Sequence, residues 1–136
     1  MPNINIRNND IGNVVLASGR FDDDTAHFAA AGTWVEGTIL ARSTAEGATE
    51  GKLVPFAPGG ANGTGVPRAV LSYDVEGGEA ADVAVRPLVA GEVRAQRLII
   101  HADGDGSNVD NTVLDLLRET SIIPLSVTDR SVLDNQ

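Results

Sequence analysis

Glycine and proline interrupt this chain so often that few segments between them are long enough for a helix. There are 15 glycines and 6 prolines among the 136 residues, and 42% of the residues are hydrophobic although only 4% are aromatic. The core must therefore come from valine, isoleucine, leucine and alanine. Short β-branched segments separated by turns are typical of sheet proteins rather than of helical bundles. We expect one mainly β domain, since this length corresponds to about one domain.

The charge and composition of the chain restrict its partners. Ten basic and 19 acidic residues give a net charge of −9, and the arginines are scattered along the sequence. Such a chain repels phosphate, so we expect no direct binding to nucleic acid. The absence of cysteine excludes disulfides and thiolate metal sites. No apolar run reaches the roughly 20 residues of a membrane span, and "MPNINIRNND" lacks the parts of a secretion signal. We expect a soluble protein.

Alternating and β-branched segments predict most of the strands. The predicted strand segments are two pieces within 14–32, one strand over 33–43, a short strand at the start of 51–67, a β-rich run over 68–75, the segment 81–91 and a last strand within 121–128. Pro87 indicates an edge strand or a strand end, because proline cannot donate a hydrogen bond to a sheet. The segment "EVRAQRLII", residues 92–100, is predicted as a helical turn, with a continued strand as the alternative.

One segment has the periodicity of a helix. In "DNTVLDLLRET", residues 110–120, the apolar residues form one face, and Thr112 is predicted as the cap with Asp115 three residues later. The predicted apolar face consists of Val113, Leu114, Leu116 and Leu117.

The acidic segment "HADGDGSNVDNT", residues 101–112, invites a comparison with a calcium loop. Asp103, Asp105 and Ser107 would supply the first three ligands of a loop that begins at Asp103. The sixth position should then be glycine and the twelfth a bidentate glutamate, but the chain has Asn108 and Leu114 there. We therefore expect a solvated surface loop and no bound metal or other cofactor.

The remaining candidates for chemistry are equally incomplete. His27 and His101 are far apart in a chain without cysteine, so they make a poor zinc site. The acidic run Asp22–Asp24 is interpreted as a solvated turn, although paired carboxylates can in principle act as acid and base. No serine lies in a G-x-S-x-G motif, and "PGGANGTG" lacks the lysine of a phosphate loop. These observations predict a protein that is not an enzyme.

The N-terminal residues have the pattern of a binding arm. The segment "MPNINIRNNDIGN" is polar and asparagine-rich, and strand-like alternation within it continues into "NVVLAS". A segment of this kind can add a strand to the sheet edge of a partner. We predict an arm over residues 1–20 and a β domain over residues 21–136. The predicted contact residues of the arm are Ile4, Ile6, Ile11, Val14, Val15 and Leu16.

The order of the segments resembles one known family. Residues 37–100 contain "GTILA", "GKLVPF", "LSYDV" and "AGEV" in sequence, with a Gly/Ala-rich loop after the Pro-Phe pair. This arrangement is similar to the head decoration proteins of tailed bacteriophages, the lambda protein D family. The helix-then-strand ending "VLDLLRETSIIPL" also looks like the end of that family. Two features depart from it, a small insertion at 48–51 and a lead of 33 residues before the matching region.

The resemblance implies a fold and a function. The fold would be a compact β-clip or β-tulip domain with one or two short helices and an extended N-terminal arm. The family's members form homotrimers on the outer surface of an icosahedral phage head, at threefold and quasi-threefold positions. They act there as cement, binding the major capsid protein and stabilising the shell against the pressure of packaged DNA. The arm would add to β-structure of the capsid protein. The protein would be made in the host cytoplasm and reside in the virion.

The sequence also leaves a rival function open, a free-standing β-rich binding or adhesion module. Carbohydrate-binding surfaces usually present exposed aromatic rings, and Trp34 and Tyr73 are the candidates. We expect both side chains to lie in the core or in a trimer interface instead.

Overall fold

The structure of the protein is a computed structural model that describes residues 14–16 and 19–126. Within these residues the fold is mainly β, with ten strands and one α-helix. The strands are β1 (Arg20–Phe21), β2 (Asp24–Phe28), β3 (Gly32–Trp34), β4 (Ile39–Arg42), β5 (Leu53–Pro55), β6 (Pro67–Val70), β7 (Val75–Gly77), β8 (Ala81–Val85), β9 (Leu88–Arg94) and β10 (Ile122–Leu125), and the helix α1 is Asn111–Glu119. The prediction of a compact, mainly β domain with a short helix is confirmed.

Most strands belong to one curled sheet that forms a half-barrel. Its order is β1-β9-β6-β4-β5-β2-β8, and β10 pairs with β9 off this path. The β9–β10 and β2–β5 pairs are parallel, and the other pairs in this sheet are antiparallel. Strands β3 and β7 form a separate antiparallel pair. Strand β9 is thus a central element, since it pairs with β1, β6 and β10.

Two hydrophobic clusters cover the two faces of the central strands. Side chains alternate between the faces of a strand, so Ile39 and Ala41 of β4 enter one cluster and Leu40 enters the other. The first cluster also contains Val113 and Leu117 of helix α1. Because β4 is buried on both faces, its sequence reads as a continuous apolar run.

The few aromatic residues concentrate in the second cluster. The rings of Phe28 and Trp34 stack with their centroids 3.9 Å apart and their planes 12° apart. Trp34 is only 4% exposed, so the prediction that it belongs to the core is confirmed. Stacked aromatic pairs of this kind add about 1 kcal/mol to the contribution of their buried area.

The single strand predicted over residues 33–43 is wrong. The segment divides into β3 and β4 at a turn through Glu36 and Gly37. Gly37 has a φ of 95°, which side-chain-bearing residues rarely adopt. A Cβ atom at this position would overlap the carbonyl oxygen of Arg97. The break therefore depends on a close contact with Arg97, which is distant in the sequence. The residue pattern within the segment 33–43 gives no sign of this contact.

The helix was predicted in the right place, but its cap was not. Helix α1 spans Asn111–Glu119, and Asp110 is the N-cap with an extended backbone. Its carboxylate accepts a hydrogen bond from the Val113 amide at 3.1 Å. Thr112 lies inside the first turn, where its backbone is already helical and cannot take the cap conformation.

Three further local predictions are confirmed, the first of them only in part. The segment 92–100 continues strand β9 as far as Arg94, and the predicted helical turn is confined to a 3-10 turn over Ala95–Arg97. Strand β10 lies within the predicted final strand. Pro87 lies between β8 and β9, so the strand end predicted there is confirmed.

Candidate functional site

The first described residues join the sheet beside β9. Val15 bridges Val93 in antiparallel orientation. The Arg94 amide donates to the Val14 carbonyl at 2.7 Å, and the Leu16 amide donates to the Glu92 carbonyl at 3.1 Å. Strand β10 pairs with the same part of β9 on its opposite edge. Residues 14–16, which we call the arm root, therefore behave as an added strand of the chain's own sheet.

The side chain of Val14 lies in the core. It is fully buried, and it belongs to the same cluster as Val93 and Ile122. Its amide donates to the Glu36 carboxylate at 2.9 Å, and the Glu36 amide donates in turn to the Asp74 carboxylate at 2.8 Å. Val14 is therefore a core residue of its own domain, and its predicted contact with a partner stays a prediction. The sequence pattern identified a strand here but not its partner.

The other predicted contact residues have different positions. Val15 and Leu16 are half-buried, and Val15 packs against the first hydrophobic cluster. Ile4, Ile6 and Ile11 lie outside the described residues. A role for these residues in binding a partner stays a prediction, as does the boundary between arm and domain.

Strand β10, which β9 separates from the arm root, presents an apolar row. Ile122 and Pro124 are buried, while Ile123 and Leu125 are 37% and 39% exposed. Among the described strands β10 pairs only with β9, so its other side is an edge. Pro124 suits such an edge, because proline is tolerated where no hydrogen bond must be donated. The free side of β10 thus combines a strand edge with exposed aliphatic side chains.

The acidic segment after β9 is an exposed loop, as predicted. Its carboxylates are used locally, since Asp105 accepts from the Ser107 amide at 3.0 Å and Asp103 accepts from the Asn108 side chain at 3.0 Å. The bonds from Ser107 lower the pKa of Asp105 below its usual value. Within residues 14–16 and 19–126 no three His, Asp or Glu side chains come together as a metal site.

His27 takes part in an ion-pair network between strands. Its Nδ1 atom lies 2.8 Å from the Asp82 carboxylate, and the Lys52 ammonium donates to the other oxygen at 2.7 Å. The hydrogen bond from Lys52, followed by that from His27, lowers the pKa of Asp82. Because His27 lies opposite Asp82 in the β2–β8 pair, this network ties those strands to Lys52. His101 is exposed at the start of the acidic loop.

The acidic run is only partly the solvated turn that the sequence predicts. Asp22 and Asp23 precede β2 and form exposed ion pairs with Arg20 and Arg86. Asp24 begins β2 and holds Arg42 at 2.6 Å. Burial disfavours the Asp24 carboxylate, but the hydrogen bonds from Arg42 and from the Thr25 amide outweigh it and lower its pKa. The ion pair between Asp24 and Arg42 therefore links strands β2 and β4, and Asp24 is not a free surface charge.

The aromatic candidates of the rival function differ in exposure. Trp34 is buried, whereas Tyr73 is 44% exposed and its hydroxyl accepts a hydrogen bond from the Arg86 amide at 2.9 Å. A sugar-binding surface would need exposed ring faces, and the buried Trp34 cannot supply one. Tyr73 lies outside the core, so the prediction for it is not confirmed within this single chain.

Arg20, Arg42 and Arg68 form a cluster that sequence reasoning missed. They line one groove of the folded domain although they are widely separated in the chain. No spacing in the sequence signals this grouping, because it arises from strand pairing. The statement that the arginines are scattered holds for the sequence but not for the surface.

The fold and these surfaces define a class of protein: a small β domain with a strand-like N-terminal lead and apolar and charged surfaces suited to binding other proteins. Within the part of the chain that the structure covers, no helix is long and apolar enough to cross a membrane. The family model of the bacteriophage lambda head decoration protein D matches residues 9–122. The chain belongs to that family. No curated protein matches it.

Family membership confirms the resemblance and extends it beyond residues 37–100. The family is that of a structural, non-catalytic protein of the phage head, which supports a capsid decoration role for the chain. The match begins at residue 9, so it includes the arm root and the last residues before it.

Proposed function

We propose that this protein binds as a homotrimer to the outer surface of an icosahedral phage head, at threefold and quasi-threefold positions. There it holds neighbouring copies of the major capsid protein together and stabilises the shell against the pressure of packaged DNA. The observation that carries the proposal is the family match over residues 9–122. A free-standing adhesion module has less support, because Trp34 is buried.

The arm root supports a specific means of attachment. Residues 14–16 are held by backbone hydrogen bonds to β9 and by the buried Val14 side chain. Residues 1–13 precede this anchor, and their alternating Ile4 and Ile6 suit addition to a sheet edge of the capsid protein. The arm as we propose it is therefore residues 1–13, shorter than the 20 residues that the sequence alone indicates.

A trimer strengthens attachment by presenting three arms. Ordering one arm on the capsid costs conformational entropy, so a single arm binds with modest affinity. Once the first arm is bound, the second and third bind at a high effective concentration, which raises the overall affinity by orders of magnitude. Cyclic symmetry also buries surface that one chain leaves exposed, and Tyr73 and the apolar row of β10 are available for such contacts.

Binding to undecorated heads of the cognate phage tests this function. Light scattering of the purified protein should give about three times the chain mass of 14.1 kDa, and cryo-electron microscopy of the mixture should show density at threefold positions. A protein that leaves the heads bare would refute the proposal.

The arm itself is tested by a matched pair of double variants. Ile4→Asp with Ile6→Asp adds two negative charges to the apolar positions of the arm. Asn3→Asp with Asn5→Asp adds the same charge to the alternate positions. We expect the isoleucine variant to lose head binding and the asparagine variant to keep most of it, because only the former puts charge into apolar pockets. Equal binding by both variants would show that attachment lies elsewhere.

A further inference from the structure

An open groove of about 630 Å³ crosses the outer part of the sheet at one end of β4 and β6. Four consecutive strands in the order β1-β9-β6-β4 each contribute one residue to its lining. These residues are Arg20, Val89, Arg68 and Arg42, in the order of the strands. Val66, which is 40% exposed, adds a second aliphatic side chain. The groove therefore has guanidinium groups beside an apolar surface.

Two irregularities in the sheet supply residues to this groove. In the β4–β6 pair Leu40 lies opposite Ala69 and Ala41 lies opposite Pro67, so Arg68 is an extra residue without a partner. A β-bulge of this kind redirects the side chain of the extra residue, and bulges are frequent next to functional sites. The bulge gives Arg68 an exposed position between the buried residues of β6.

The second irregularity lies in the β1–β9 pair. Arg20 is opposite Ala90 and Phe21 is opposite Leu88, which leaves Val89 as the extra residue. Both extra residues, Arg68 and Val89, line the same groove. The two bulges thus bring Arg68 and Val89 to one place on the sheet.

The charge of the groove is opposite to that of the protein. Arg42 is paired with Asp24 at 2.6 Å, and Arg20 is paired with Asp22 at 3.1 Å. Arg68 is exposed and has no hydrogen-bond or ion-pair partner among the described residues. Even with both aspartates counted, one guanidinium group remains uncompensated on a chain of net charge −9. The groove therefore attracts an anionic group locally, although the net negative charge of the whole protein repels it.

We propose that this groove binds a short acidic segment of the capsid protein, with an Asp or Glu carboxylate on Arg68 and an aliphatic side chain against Val66 and Val89. Arginine suits this role because its planar guanidinium group binds a carboxylate through two parallel hydrogen bonds. The proposal rests on the proposed function, since it assigns a second contact with the same partner.

The position of the groove favours the capsid over a second copy of the chain. Val89 and Val93 lie on the same strand, and Val93 bridges Val15 of the arm root. Four residues of β-strand span about 13 Å, so a partner held by the arm extends readily to the groove.

Charge reversal at Arg68 tests this inference. We expect Arg68→Glu to weaken binding to undecorated cognate heads by about tenfold or more, because it places like charge against the carboxylate. Arg68→Gln should have an intermediate effect and reduce the salt dependence of binding. Arg86→Glu is the matched control, since Arg86 is also exposed but lies outside the groove. It should bind within about threefold of the wild type.

The thermal midpoint and the oligomer mass of each variant complete the experiment. Both should match the wild type for Arg68→Glu, because Arg68 makes no described contact that folding would lose. Equal head binding by Arg68→Glu and Arg86→Glu would overturn the inference and leave the proposed function intact. Loss of the trimer mass in Arg68→Glu would also overturn it, because the groove would then serve a second copy. A wild-type protein that does not bind heads would overturn both proposals.

Discussion

Because Val14 lies in the core, we predict that the arm root contributes to the stability of the domain whereas residues 1–13 do not. Val14 is fully buried, whereas Val35 is 40% exposed. Replacing each by alanine removes the same two methyl groups from very different surroundings. The two substitutions therefore isolate the contribution of burial at the arm root from the intrinsic effect of a valine-to-alanine change.

The expected magnitude follows from the buried atoms. A buried methyl or methylene group contributes about 0.8 kcal/mol, and the cavity left by a core truncation adds to that loss. We expect Val14→Ala to reduce the free energy of unfolding by about 2 kcal/mol. For a domain of this size each kcal/mol lowers Tm by about 4 °C, so Tm should fall by about 8 °C. Val35→Ala should change the free energy by less than about 0.5 kcal/mol.

Two truncations extend the same test. Deleting residues 1–13 leaves every described contact in place, so Tm should change by no more than about 2 °C. Deleting residues 1–16 also removes Val14 and the two backbone hydrogen bonds to β9, each of which contributes about 1 kcal/mol. The conformational entropy that these three residues regain offsets part of this loss. We expect a fall in Tm similar to that of Val14→Ala.

Circular dichroism melts of the four variants, with the wild type as reference, provide the measurement. The reasoning would be refuted by a wild-type Tm for Val14→Ala, or by equal Tm values for the two truncations. Either result would mean that the arm root does not belong to the cooperative core.

Three further predictions test other parts of the fold. Asp110→Ala should lower the free energy of unfolding by about 1 kcal/mol and Thr112→Ala by less, because Asp110 is the helix cap; chemical denaturation measures both. Gly37→Ala should destabilise the domain far more than Gly47→Ala, since both glycines have positive φ but only Gly37 lacks space for a Cβ; comparable midpoints would contradict this. Asp24 has a lowered pKa in the folded state, so its contribution is present above the unfolded value of 3.8 and is lost as the pH falls through the folded pKa. Melts of Asp24→Asn and wild type should therefore differ at pH 7, and the difference should shrink as the pH falls below 3.8.

Local patterns in the sequence predicted the elements whose cause is local. Helix α1 was predicted within one residue at each end, because its apolar periodicity and its flanking polar residues lie in one segment. The choice between Asp110 and Thr112 as cap could not be made from residue types, since both side chains can cap a helix. The extended backbone of Asp110 decides it, and that backbone depends on how the acidic loop packs.

Features that depend on contacts between distant residues were missed, because no single segment of the sequence contains both partners. The turn at Gly37 is fixed by the approach of the Arg97 carbonyl oxygen, which no window of the sequence contains. The alternation through Val14 and Leu16 indicated a strand, but the identity of its partner is a tertiary property. The arginine groove requires four strands to pair in a given order, and two of its residues also require bulges. Neither the strand order nor the bulges can be recognised from the spacing of these residues in the sequence.

The position of the arm root also bears on how an arm could hold a shell together. Any force that a capsid exerts on residues 1–13 enters this domain at Val14, whose side chain is buried and whose carbonyl and amide are both bonded. The strand that receives the force, β9, is paired on both edges at that point and leads to helix α1 through β10. The load is therefore spread over the first hydrophobic cluster instead of over an isolated hairpin. In the proposed trimer three such anchors act together. The trimer leaves the head only if all three arms dissociate before any one of them rebinds. Weakening the root, as in Val14→Ala, should on this argument shorten the residence time on heads even though residues 1–13 are unchanged.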